Sequence, residues 1–418
     1  MIMLSRRNGI LFLEDVSVLH LAERFGTPLY ATSKAQLEKN ILAYKEAFPD
    51  SEILYAVKAN NNLAIMKLIA NHGFGADVFS AGELYMALLA GFKRDKILFN
   101  GNSKSDEEIE MGISAGIKFS VDSIDELKTI DEIAKKMGEE VEIAFRINPD
   151  IDPKTHPKIA TGLRESKFGI PIEEALEVYS LSLNLDNVKP IGIHFHIGSQ
   201  ILEVSPFVDA LRKIGDLAVK LEEIGIKIEF IDMGGGLGID YEGKGAPSPK
   251  DMANAVLPVF EEIKENLSSK PKLWLEPGRS IVGNTTILLT RVNAVKRGYK
   301  NFVAVDAGFN ILIRPAMYGS YHRILVADKE GEEELYTIVG PICESGDILA
   351  KDRKLPRIKK GDLLVILDTG AYGFVMSSQY NGRPRCAEVL VSGERVALIR
   401  ERETLGDLIA KQRIPEWI

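Results

Sequence analysis

Between Ser51 and about Arg279 the chain alternates short apolar runs with longer amphipathic ones, eight times over. The short runs cover 53–58, 75–79, 96–99, 117–121, 141–147, 191–196, 228–233 and 273–276. Between them, stretches such as 64–70, 81–90 and 124–137 repeat apolar residues at three and four spacing, the mark of an amphipathic helix. Regular strand–helix alternation implies parallel strands, because each helix must carry the chain back to the same edge. Eight units in this length fit a closed (β/α)8 barrel better than the alternative, an open doubly wound sheet.

The texture changes after about Ser280. Alternating and β-branched runs at 335–339, 362–367, 388–391 and 395–399 are separated by turn signals such as Lys360-Gly361-Asp362 and Ser392-Gly393-Glu394. A second, mostly antiparallel β domain is expected there. The division predicted is an N-terminal segment, 1–28, packing with that domain, then a barrel over 29–283 and the β domain over 284–418.

A length of 418 residues suits two domains. The net charge of -8 argues against nonspecific binding to nucleic acid or anionic membrane. No apolar run approaches the roughly 20 residues of a membrane span, and the start does not read as a signal peptide. Cys343 and Cys386 lie too far apart for a zinc spacing and form no disulfide framework, which suits a reducing cytoplasm.

In a barrel of this kind chemistry sits at the C-terminal ends of the strands, and four motifs fall there. Lys58 closes the first apolar run in Tyr55-Ala56-Val57-Lys58-Ala59-Asn60. A lysine against apolar walls becomes a nucleophile when its amine is neutral, although a strand-end lysine can also simply snorkel to water. His194-Phe195-His196-Ile197-Gly198-Ser199-Gln200 ends the sixth run. Its histidines could be a metal pair, a core residue beside a functional one, or a cofactor contact. Gly234-Gly235-Gly236 follows the seventh, where adjacent glycines can cradle a phosphate or merely form a tight turn. Glu276-Pro277-Gly278-Arg279 follows the eighth. Glu276 needs a partner if buried, either Arg279 or a protonated ligand nitrogen.

An amine nucleophile, a phosphate cradle, an imidazole and an inward carboxylate on one rim match the needs of pyridoxal 5′-phosphate. Lysine binds its aldehyde, the glycine turn its phosphate and an imidazole its ring face. A carboxylate that keeps the pyridine nitrogen protonated strengthens the electron sink and favours loss of CO₂. The rivals are a metal-dependent barrel hydrolase built on His194, His196, Asp232, Glu276 and Asp306, and a non-catalytic binding protein. The hydrolase would leave the lysine and glycine motifs idle. A chain that had lost catalysis would usually have lost Lys58.

These motifs, with Gly340-Pro341-Ile342-Cys343-Glu344 and Ala371-Tyr372-Gly373, resemble the diaminopimelate decarboxylase family of barrel-type pyridoxal-phosphate enzymes, related to ornithine decarboxylase and alanine racemase. The resemblance spans nearly the whole chain. It implies decarboxylation of meso-2,6-diaminopimelate to L-lysine and CO₂, with carboxynorspermidine, ornithine or arginine as alternative substrates. It also implies roles. Lys58 would carry the cofactor, His196 stack on its ring and Asp77 support the site. Ser199, Gly235, Gly236, Gly278 and Tyr372 would meet the phosphate beside Pro277, and Glu276 would pair with the pyridine nitrogen. Arg279, Arg314 and Tyr318 would hold the retained carboxylate, Glu344 the distal amine, and Cys343 would return the proton; Arg279 would also border the cofactor and Tyr372 the substrate. In the family Cys343 and Glu344 come from a partner subunit, so a homodimer is expected. No metal is expected.

Overall fold

The computed structural model describes residues 4–153, 155, 161–162 and 166–418. The chain divides into two compact units, one of 41–239 and 245–280, the other of 1–40, 240–244 and 281–418.

The first unit is a parallel barrel. Its strands, labelled β1 to β8, are Glu52–Ala56, Gly75–Val78, Ile97–Phe99, Lys118–Val121, Val141–Asn148, Val188–His194, Phe230–Asp232 and Lys272–Leu275. Each pairs in parallel with its neighbours, and pairing of β8 with β1 closes the ring. All eight expected strands are present. The helices between them begin where the sequence supplies caps. Ser80, Ser105 and Ser123 each accept from the backbone N–H three residues on, and Ser105 with Glu108 completes a capping box. Gly91, Gly116 and Gly138 close the same helices in the left-handed conformation that spares glycine a Cβ clash. Inside the ring Leu54, Leu98, Ala144, Ile191, Phe230 and Trp274 form one buried cluster. The Phe230 and Trp274 rings stack with centroids 3.9 Å apart. Burying side chains of this size contributes roughly 1.5–3 kcal/mol each, so the barrel has a filled core and its polar residues collect at the C-terminal rim.

The second unit is a mixed, mostly antiparallel sheet. Thr286–Lys296 runs through its middle, antiparallel to Leu29–Ser33, Phe302–Val305 and Leu363–Ile366. Two pairings are parallel, Phe302–Val305 with Glu333–Val339 and Leu29–Ser33 with Ala387–Ser392. Leu4–Arg7, Ile10–Leu13 and Val16–Ser17 make a separate antiparallel sheet, and the helix Val18–Phe25 follows. Leu11, Leu13, Val18 and Leu21 enter the same buried cluster as Ile287, Leu289, Val365 and Val389. The expected boundary at 28/29 is therefore displaced. Leu29–Ser33, assigned from sequence to the barrel domain, is fully buried within this second sheet. The later boundary falls at 280/281 rather than 283/284.

Candidate active site

The rim of the barrel is assembled from residues at or just beyond the C-terminal strand ends. β1 stops at Ala56, and Lys58 sits in a single 3₁₀ turn, Val57–Ala59. Its Nζ pairs with Asp77 Oδ2 on β2 and lies 4.4 Å from the centroid of the Phe79 ring. The lysine side chain is one-third exposed, whereas Asp77 is fully buried. Asn100, directly after β3, donates through Nδ2 to Asp77 Oδ1 at 2.7 Å and to Glu276 Oε1 at 2.6 Å. One amide thus ties the carboxylate beside the lysine to the carboxylate after β8.

β6 ends at His194, so His196 lies beyond the strand, and the two histidines do different things. His194 Nδ1 is 2.7 Å from Ser120 Oγ on β4, and its Nε2 approaches Glu276 Oε2 to 3.4 Å. His196 accepts the Gly235 N–H at Nδ1, 3.2 Å away, which puts the proton of a neutral ring on Nε2. Asp232 Oδ1 accepts the Gly234 N–H at 2.8 Å and so pins the glycine turn to the end of β7. In that turn Gly234 and Gly236 have φ of 65° and 121°, and a Cβ at Gly235 would stand 2.2 Å from the Glu276 carbonyl oxygen. Side chains are excluded there by both backbone conformation and space. Arg279 opens the short helix Arg279–Val282 and donates from Nη2 to Ser199 Oγ at 2.9 Å. Gly278 faces the Ala59 and Ala56 side chains, with a Cβ there 2.9 and 3.0 Å from theirs.

The electrostatics separate these acids. Burial pushes the Glu276 carboxyl up, but His194, Lys58 and His196 together outweigh it and bring it down to about 2. Burial raises Asp77 and Asp232, and the negative charge of Glu276 raises both further. His196 is half-buried, and desolvation, with the Arg146 and Lys58 charges, holds its ring well below the usual imidazole range. The rim therefore carries an ionised Glu276 beside a neutral His196.

Five expected site residues belong to the second unit. Arg314 is buried, with Nη1 3.0 Å from His322 Nε2 and its guanidinium 4.7 Å from the Tyr241 ring centroid. Tyr318 ends the short helix Arg314–Tyr318, and Tyr372 holds a φ of 57°. Cys343 and Glu344 are exposed. Asn381 brackets the cysteine, accepting the Cys343 N–H at 2.9 Å and donating to Sγ at 3.1 Å. The Tyr380 hydroxyl donates to Glu344 Oε1 at 2.7 Å.

A family model described as "Pyridoxal-dependent decarboxylase, pyridoxal binding domain" matches residues 34–283. The diaminopimelate decarboxylase of Archaeoglobus fulgidus is 69% identical over the full length of both chains. The chain belongs to the diaminopimelate decarboxylase family. Among solved structures, the M. jannaschii diaminopimelate decarboxylase in co-complex with L-lysine is 46% identical, with a TM-score of 0.95 over 99% of this chain and 98% of that one. The Helicobacter pylori enzyme complexed with L-lysine is 41% identical, with a TM-score of 0.90 over 94% and 98%.

The rim fits the cofactor of this family. Lys58 presents a part-exposed amine, and the glycine turn admits no side chain. Asn100 Oδ1 and Asp232 Oδ2 are buried atoms without an aligned hydrogen-bond partner among the described residues, a polar lining suited to a polar ligand. One atom each of His194, Asp232 and Glu276 also fall within 4.8 Å of one another, so the metal reading of His194 had a geometric basis, although His196 is not in that group.

Sequence reasoning missed Asn100, Ser120 and Arg146. Arg146 was findable, because a charge inside the apolar run of β5 is a buried charge needing a partner; its Nε stands 3.9 Å from Asp122 Oδ1. Asn100 and Ser120 are short polar residues at strand ends, which ordinary turns also use.

Proposed function

We propose that this chain removes one carboxyl group of meso-2,6-diaminopimelate, at the D-configured carbon, releasing CO₂ and leaving L-lysine. The observation that carries the reading is the buried, ionised Glu276, joined through Asn100 to the Asp77 that pairs with Lys58. When bound, pyridoxal 5′-phosphate supplies an aldehyde for an amine and a sink for the electron pair left as CO₂ departs. Lys58 is the amine that holds the cofactor before substrate arrives, and Asp77 orients it. Glu276, kept ionised, receives the protonated pyridine nitrogen. His196, neutral and fixed by Gly235, covers the ring. Ser199, Gly235, Gly236, Pro277, Gly278 and Tyr372 take the phosphate end.

Substrate choice rests on charge at its far end. A retained carboxylate calls for the planar forks of Arg279 and Arg314, with Tyr318, and the distal ammonium calls for Glu344. Cys343 returns one proton to the carbon that lost CO₂. Cys343 and Glu344 act from a partner subunit, so the working form is a homodimer in the cytoplasm. No helix of the described residues is long and apolar enough to cross a membrane.

The test is released CO₂ from meso-diaminopimelate, ornithine and arginine offered in turn to the cofactor-loaded protein. Turnover with the first alone is expected, since ornithine and arginine lack a distal carboxylate. Equal or faster release from either of them would overturn the substrate assignment.

A further inference from the structure

His194 is singled out by the sequence yet takes no part in the reading above. It is 1% exposed, as is Ser120, and Asn100 is fully buried. Glu276 is enclosed from two sides. Asn100 Nδ2 reaches Oε1 at 2.6 Å, and His194 Nε2 stands 3.4 Å from Oε2, an ion-pair distance without hydrogen-bond alignment. The far nitrogen of the imidazole, Nδ1, meets Ser120 Oγ at 2.7 Å.

We propose that His194, oriented by Ser120, is a positioning residue that together with Asn100 clamps the two carboxylate oxygens of Glu276 and presents them to the cofactor's ring nitrogen. A hydroxyl hydrogen donated by Ser120 to Nδ1 leaves the ring proton on Nε2, facing Glu276, as a histidine's second hydrogen bond sets its tautomer. A buried carboxylate with no such neighbour takes up a proton instead of staying charged. The chain thus uses its two rim histidines for different ends: His196 for the cofactor's face, His194 for the acid at its nitrogen.

The inference rests on the pairing of Glu276 with the pyridine nitrogen, and the experiment separates the two. Dissociation constants are measured by equilibrium dialysis for pyridoxal 5′-phosphate and for its carbocyclic analogue, in which C–H replaces the ring nitrogen. Glu276→Gln is expected to weaken the natural cofactor and leave the analogue unaffected. His194→Leu is expected to do the same, by about tenfold, the lower end of what losing a partner of a metal ligand costs at metal sites. Ser120→Ala is expected to follow in the same direction with a smaller change, and it keeps the test open if His194→Leu fails to fold. His194→Gln, which retains an N–H donor, is expected to recover part of the loss.

If Glu276→Gln discriminates between the two ligands while neither His194→Leu nor Ser120→Ala does, the clamp is wrong and the carboxylate assignment stands. Equal weakening of both ligands by His194→Leu marks a merely structural histidine and also overturns the clamp. If Glu276→Gln itself fails to discriminate, the pairing with the pyridine nitrogen falls, and the clamp falls with it.

Discussion

Glu83 shows how a single side chain at this rim links ionisation to stability. It is the third residue of the helix Ala81–Ala90, and its Oε2 accepts the Phe79 N–H at 2.8 Å. Burial pushes its carboxyl from 4.5 up to about 7, although Lys58 and the Phe79 amide pull the other way. The folded chain therefore holds a proton that the unfolded chain releases near 4.5. Stability from this group is complete below that value and is lost as pH rises towards 7. The loss is on the order of 2 kcal/mol after allowance for the partial exposure of the side chain. In cofactor-free protein, urea midpoints for Glu83→Gln should fall less between pH 4.5 and 7 than those of the native chain; parallel slopes would contradict this. Glu83 was not singled out from sequence, because a glutamate in the first turn of a helix is ordinary. Lys58 and Glu276 were legible because each closes an apolar run. Asn100 and Ser120 gain their meaning from partners as far as 176 and 74 residues away.

At the scale of elements, the eight barrel strands were readable because each is a short apolar run, several of them followed by a helix with a serine cap. Their ends were less so. β1 stops two residues before Lys58, which the 3₁₀ turn carries out of the sheet plane. β6 begins at Val188, three residues before the expected start, since Lys189 and Pro190 break the apolar pattern and the register shifts between Pro190 and Gly192. The instructive case is Leu29–Ser33. Leu29–Ser33 leads directly into the helix Lys34–Ala47, and the boundary expected at 28/29 put it with the barrel. Pairing with Thr286–Lys296 and Ala387–Ser392, more than 250 residues further along, decides where it lies. A strand's sheet is set by its long-range partners, and five buried residues carry no label for which sheet buries them.

For the whole molecule, the proposed chemistry needs more than one chain. Cys343 and Glu344 are exposed on the second unit, with the thiol bracketed by Asn381 and the carboxylate held by Tyr380. Ordered side chains on an open surface fit delivery to a partner's site. If so, Lys58→Ala and Cys343→Ala chains, each nearly inactive alone, should regain about a quarter of native turnover when mixed and allowed to exchange, because half the dimers would be mixed and each would hold one intact site. No recovery, with subunit exchange verified by mass, would contradict a shared site. All of this depends on Lys58 as the point of covalent attachment. The direct measurement is borohydride reduction of the cofactor-loaded protein, then digestion and mass spectrometry. The expected result is a single pyridoxyl-phosphate adduct on the peptide containing Lys58, absent from Lys58→Ala; an adduct on another lysine, or none, would contradict the account.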